Sequence, residues 1–379
     1  MNELVSLFPV LFFVYVLQCI SAVRPTGVVF YLNDRLRGRL LRHWWEVGRS
    51  QYRLFFLDPF SPTEGAICVD RLPFTALSDD SGALRGIEFT SCVSSRWTPK
   101  RVSFDEPHKF DCRGKQIMVD GNESVSVNSE PAAKRIATLL SKLCGKPSSK
   151  RLPILSSEFR NMFSTELLDE RLLRYSRSSG YLHVACFSLL LFLFVLSPLM
   201  IFLFGLHRVW VSLLVCLVLF AVSILLLFWR SYRELYPGQH EGLWQKMLTI
   251  ALSPFVAIRA NDALLSDLLC AFHPVAVAHR LLHESEFLDF AGAELRRIKY
   301  LSADKLVEKF LAEFLIRQSV DIKPLLSSPR PDNSRSRSYC PVCLAQYVVG
   351  TGVCSDCNNV SLHPFPTEVS EATRMNRTG

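Results

Sequence analysis

The sequence predicts a multi-domain membrane protein: a small α+β domain, a transmembrane helical hairpin, a juxtamembrane helical bundle and a cysteine-rich module at the C-terminus. Three observations carry this expectation. Residues 184–229 form two apolar runs, Val184–Leu206 and Val209–Trp229, with no Asp, Glu, Lys or Arg in either. Within residues 51–127 Gly and Pro separate short β-type runs, Tyr52–Leu57, Ala66–Val69, Gly86–Cys92, Arg101–Phe104 and Gln116–Val119, and four of the twelve cysteines crowd into residues 340–357. At 379 residues, 49% apolar and 21% charged, the chain suits a membrane protein with folded soluble parts better than a disordered chain or one compact enzyme.

A helix needs about 20 apolar residues to cross the hydrocarbon of a bilayer, and each run is long enough. A helix satisfies its own backbone in lipid whereas an open strand cannot, so Val- and Phe-rich composition does not argue for β structure here. The expected hairpin (184–229) turns at His207-Arg208. Arg171, Arg174 and Arg177 precede it and Arg230 and Arg233 follow it, so both flanks are expected in the cytoplasm. Pro198 removes a backbone donor from the first span and predicts a kink. With no intramembrane charge, the pair reads as an anchor rather than an ion path.

Upstream, residues 1–23 read as an N-terminal membrane anchor or a signal peptide; Glu3 and the absence of a basic start favour the uncleaved anchor. Asn33–Val47 spaces Leu36, Leu40, Leu41, Trp44 and Trp45 as a basic amphipathic helix. Residues 26–148 are expected to form the α+β domain. Within it, Asp120-Gly121 between two alternating runs predicts a tight hairpin. Ser129 can cap a following helix with the apolar stripe Ile136, Leu139, Leu140 and Leu143, stopped by Gly145 and Pro147. Residues 149–183 read as a connector that turns helical towards the membrane. Residues 230–325 are helical in pattern, with breaks at Pro237-Gly238 and Pro254, and predict a membrane-proximal bundle.

The chain holds few catalytic patterns. No glycine-rich phosphate loop and no Gly-x-Ser-x-Gly elbow occurs. His279 and His283 stand four apart with His273 nearby, but His279-Arg-Leu-Leu-His283 lacks the Glu of a His-Glu-x-x-His protease motif.

Residues 326–338 (SSPRPDNSRSRS over 327–338) cannot bury enough apolar surface to order alone and predict a flexible linker. Beyond it, Cys340-Pro-Val-Cys343 and Cys354-Ser-Asp-Cys357 are two Cys-x2-Cys knuckles. Each presents two thiolates at one turn, and together they supply the four-sulfur set of a structural metal. Two disulfides or an iron–sulfur cluster are the other uses of such a set. Residues 339–364 resemble a zinc ribbon. That resemblance implies a small β module holding structural Zn2+ on Cys340, Cys343, Cys354 and Cys357, but no particular task, since ribbons serve nucleic-acid, protein and purely structural roles. Leu344 stands where the family commonly has Gly. Gln346 to Pro366 contains no Lys or Arg, which argues against tight phosphate contact, and residues 365–379 form a tail.

These features point to a membrane-anchored adaptor or scaffold whose partners are the lipid bilayer and a protein. The alternative is a membrane-surface enzyme built from His273, His279, His283, Asp262 and Glu284 in the juxtamembrane helices.

Overall fold

The computed structural model describes residues 28–29, 46–47, 50–51, 67–68, 72–79, 82–89, 100–127, 130–235, 243–301, 304–357 and 359–365. The segment 1–23 and the cap Ser129 lie outside them. The chain forms two compact units, one taking in residues 165–270 and the N-terminal short strands, the other residues 70–164 and 271–379.

The second unit begins with two three-stranded antiparallel sheets. Strands β1 (Phe74–Ser78), β2 (Leu84–Phe89) and β3 (Lys100–Ser103) pair in that order. Their buried side chains are Phe74, Ala76, Leu84, Ile87, Phe89 and Val102. Gly86 in β2 faces Ser103, and a Cβ there would lie 2.3 Å from the Val102 carbonyl oxygen, so only glycine lets these strands approach. Strands β4 (Phe110–Arg113), β5 (Gln116–Val119) and β6 (Asn122–Ser126) form the other sheet. Its β5–β6 turn is the expected Asp120-Gly121, with φ of 54° and 79°, the left-handed pair of a two-residue hairpin.

Helix α1 (Glu130–Cys144) lays Ile136, Leu139, Leu140 and Leu143, all buried, over β4 and β5. Helix α2 (Ser148–Met162) makes the segment 149–183, expected to turn helical only towards the membrane, helical from its start. The segment looks polar because of its arginines, yet Arg151 is buried. Its guanidinium donates to the carbonyls of Phe104 (2.6 Å), Lys146 (2.8 Å) and Leu84 (3.4 Å) and pairs with Asp105 at 3.2 Å. One buried cation thus ties α2 to the end of β3 and the start of β2, with every bond charge-assisted.

The first unit is organised on two long apolar helices. Helix α3 (Thr165–Leu191) runs through a π-helical turn, Phe192–Leu196, into α4 (Ser197–Phe204), and α5 (Leu206–Leu235) folds back on it. Three details differ from expectation. The turn is made at Gly205 (φ 79°) rather than His207-Arg208, because glycine alone adopts that conformation freely. The donor missing at Pro198 is absorbed by the π turn, where Ser197 donates both its N–H and, at 2.8 Å, its hydroxyl to the Phe192 carbonyl. Upstream, Glu46–Val47, the end of the expected amphipathic helix, pairs antiparallel with Ser50–Gln51; the rest of that helix lies outside the described residues.

Helices α6 (Leu243–Leu252) and α7 (Val256–Leu269) complete this unit. Leu243, Ile250, Phe255 and Ile258 share a core with Leu182, Cys186, Leu189, Ile224, Phe228 and Tyr232 from the long helices. Inside that unit Ser231 donates to the Asn261 side chain at 2.9 Å.

The remaining helices belong to the second unit, so the expected single bundle over residues 230–325 divides at residue 270. They are α8 (Pro274–Leu281), α9 (Glu284–Leu301), α10 (Lys305–Arg317) and the short α11 (Ile322–Leu326). Helix α10 buries Phe310, Leu311, Phe314 and Leu315, with Phe310 against Phe159 and Phe314 against Phe163. Its N-cap, Asp304, accepts from the N–H groups of Leu306 and Val307 and also from that of Ala76 in β1 at 2.9 Å.

Candidate metal centre

The C-terminal module is built from two-residue strands: β7 (Ser338–Tyr339), β8 (Gln346–Tyr347), β9 (Val353–Cys354), β10 (Val360–Ser361) and β11 (His363–Pro364). β7 pairs with β8 and β11, and β9 with β10. So little sheet cannot hold a core by itself. Its interior is instead Cys340, Cys354, Cys357, Val342 and Leu362, with Tyr300 of α9 packed against them.

The two knuckles are set by backbone turns. Leu344 donates its N–H to the Cys340 carbonyl (2.9 Å) while Cys340 donates to that of Ala345 (2.9 Å), and in the second knuckle Asn359 donates to Cys354 (3.1 Å). Leu344 and Asn359 both take left-handed backbones, φ 62° and 60°. The leucine therefore keeps the turn in which a ribbon commonly has glycine, at a conformational cost of about 1–2 kcal/mol.

The sulfurs of Cys340, Cys343, Cys354 and Cys357 all lie within 4.8 Å of one another, and three of the four residues are buried. Cys343 and Cys354 stand 3.8 Å apart across the two knuckles. That is the spacing, about 3.8 Å, of thiolates sharing one tetrahedral ion at about 2.3 Å. It is far from the roughly 2.05 Å of a disulfide, and all four are free cysteines.

The four thiols perturb one another. Burial raises the Cys340 thiol to about 11 and pushes Cys357 up as well. Cys354 is also desolvated, but hydrogen bonds from Tyr347 (3.1 Å) and the three neighbouring thiols outweigh this and bring it below the ordinary thiol range. The bond to Cys354 in turn raises the Tyr347 hydroxyl. Four thiolates gathered this closely need a positive ion among them, and an ion held by all four would have no open coordination position. The cluster can therefore hold a metal ion structurally.

The module is fastened to α9. The Arg296 Nε donates to the Val342 carbonyl inside the first knuckle at 3.3 Å, and its Nη1 donates to the Leu325 carbonyl at 2.7 Å. Tyr300 stacks edge-on against His363, ring centroids 5.5 Å apart. Burial lowers the Arg296 pKa, against the pull of Asp289 and Cys343. The expected flexible linker is also fixed. Asp332 donates its N–H to the Gln346 side chain (2.8 Å), which donates back to the Arg330 carbonyl (2.7 Å), and Arg337 donates to Tyr347 (2.8 Å). Polar residues order this segment by backbone bonding rather than by burial.

The histidines are not gathered into a site. His273 caps α8, accepting from Val275, and stacks on Phe163 at 4.4 Å. His279 is half-buried and sets its ring edge-on against Phe287 and Phe314. His283 and Glu284 are exposed, and the Asp262 side chain is outside those described. Among the described residues, the four cysteines are the one group of three or more potential ligands close enough to share a metal. Sequence reasoning missed Arg296 and Tyr300, because Arg296 lies 46 residues from the carbonyl it binds and no local pattern marks it. Comparison with protein-family models, with curated proteins and with solved structures found no match to this chain.

Proposed function

We propose that the chain is a membrane-anchored, non-enzymatic adaptor or scaffold whose C-terminal module is a zinc ribbon. The observation that carries the reading is the exposure of the hairpin. Its two helices are long and apolar enough to cross a membrane, yet only 11% of the most apolar stretch of each is buried. A core helix of a soluble protein would hide that stretch, whereas Phe202, Leu203, Val211, Val215 and Leu219 all point outward. Lipid is the solvent that suits them.

The arginines flanking the hairpin support a cytoplasmic side for both soluble regions. A reducing compartment suits nine described cysteines that are all free thiols. Zinc is the ion that fits best, since a closed, tetrahedral four-sulfur set is its usual structural site. The ribbon then serves as a rigid platform on α9, and a protein partner docks on it or on the sheets.

Two measurements test this. Membranes washed with alkaline carbonate are expected to retain the protein, and its release into the supernatant would contradict the anchor. The detergent-purified chain is expected to carry one zinc. Cys340→Ser and Cys354→Ser lose it, while His279→Ala and His283→Ala keep it. Zinc lost with the histidines would favour the enzyme reading.

A further inference from the structure

We infer that helix α6 is a third membrane-contacting element, lying in the cytoplasmic interface with Trp244, Leu248 and Leu252 inserted among lipid acyl chains. The inference rests on the proposal that the hairpin crosses the bilayer. It adds a lipid surface that the hairpin alone does not require.

The helix has three faces. At 100° per residue, Leu243, Met247 and Ile250 share one side, and it packs on the core of the long helices, Leu243 and Ile250 being buried and Met247 partly so. A second side carries Trp244, Leu248, Ala251 and Leu252. Trp244 and Leu252 are each 83% exposed and Leu248 62%. The third side, Gln245, Lys246 and Thr249, is polar. A helix on a soluble surface needs only the first and third faces. An outward apolar face beside a polar one is the pattern of a helix lying in the headgroup plane.

Two contacts fix the depth. Lys246 places its ammonium over the Tyr232 ring at 5.8 Å. Tyr232 lies three residues past Trp229, the last apolar residue of the second run, or about 4.5 Å along the helix axis. Just beyond the C-terminal end of α6, the Pro254 carbonyl lies 3.9 Å from Cys186 Sγ. Cys186 is two residues inside the first run, about 3 Å by the same rise. The first turn of the ten-residue helix and the chain just past its last residue are thus both held at the level where the hairpin leaves the hydrocarbon. Trp229, with the Arg233 guanidinium 4.9 Å above its ring, marks that level as an aromatic belt. An apolar face held there meets lipid.

The test is depth-resolved quenching in vesicles of phosphatidylcholine with a minor anionic lipid. The full chain is reconstituted with Trp244 as its only tryptophan, the others changed to Phe, and the vesicles carry bromines either near the glycerol or near the bilayer centre. A second chain keeps only a tryptophan introduced by Leu219→Trp, at the middle of the second run, as the control for the hairpin. Trp244 is expected to emit at short wavelength, to lose most of its emission to the shallow bromines and little to the deep ones, and to resist aqueous iodide. Trp244 quenched by iodide and by neither lipid overturns the inference, and with deep quenching of the Leu219→Trp chain it does so while leaving the hairpin reading intact. No lipid quenching at either position sinks both. Wild-type protein photolabelled by a lipid with its diazirine near the glycerol asks the same without substitution: label on the peptide covering residues 243–252 is expected, and its absence beside labelled hairpin peptides overturns the inference.

Discussion

At the scale of single residues, Asp304 joins two distant parts of the second unit, because one carboxylate caps α10 and also accepts from β1. Burial raises its pKa, against the lowering effect of the bonds from Ala76, Val307 and Leu306. A folded pKa above the unfolded one means that the carboxyl's contribution is fully present below the ordinary value of about 3.9. It is lost as pH rises through the raised folded value. The wild-type chain is therefore expected to lose stability relative to Asp304→Asn as pH climbs through that window, followed by thermal unfolding in detergent. A difference that does not change with pH would contradict this. Removing the acceptor altogether, as Asp304→Ala does, strands three N–H groups and is expected to destabilise by about 1–3 kcal/mol.

Elements show what the sequence could reveal and what it could not. Helix α1 was legible because its apolar stripe has helical period and sits between turn residues, and the Asp120-Gly121 hairpin because its turn chemistry is local. Strand β1 and strand β4 were not, since Phe74–Ser78 and Phe110–Arg113 are short and owe their pairing to neighbours rather than to pattern. The four-cysteine cluster was legible down to the individual residue because Cys-x2-Cys spacing presents two thiols at one turn. Their mounting on α9 was not, being a contact of high sequence separation. That mounting gives a prediction: Arg296→Ala removes charge-assisted bonds to Val342 and Leu325, each worth about 1.5–3 kcal/mol. Trypsin is then expected to cut at Arg335 or Arg337 about tenfold faster or more, by the same free-energy range, with zinc content unchanged. An unchanged cleavage rate would show that the ribbon is held by other contacts.

For the whole molecule, apolar surface and thiol chemistry constrain each other. On the proposed reading, a hairpin that leaves its apolar stretch uncovered goes into lipid, its basic flanks set the side, and the side decides whether four close thiols meet a metal or an oxidant. The two long apolar helices were visible in the sequence because their runs are unbroken by charge, while the turn at Gly205 and the π turn before Pro198 depend on backbone conformations that composition does not report. The division of the later helices between two units was likewise invisible, since α7 and α8 are similar in character and differ only in what they pack against.

The most direct test of this account is thiol labelling from each side of sealed membranes, on the wild-type chain and on an Arg208→Cys variant. The account predicts that a membrane-impermeant maleimide reaches Cys340, Cys343, Cys354 and Cys357 only from the cytoplasmic side and only after a chelator has removed the metal, whereas residue 208 reacts only from the opposite side. Labelling of residue 208 from the cytoplasmic side, or a Cys340 cluster that is oxidised and opens only to a reductant, would contradict it.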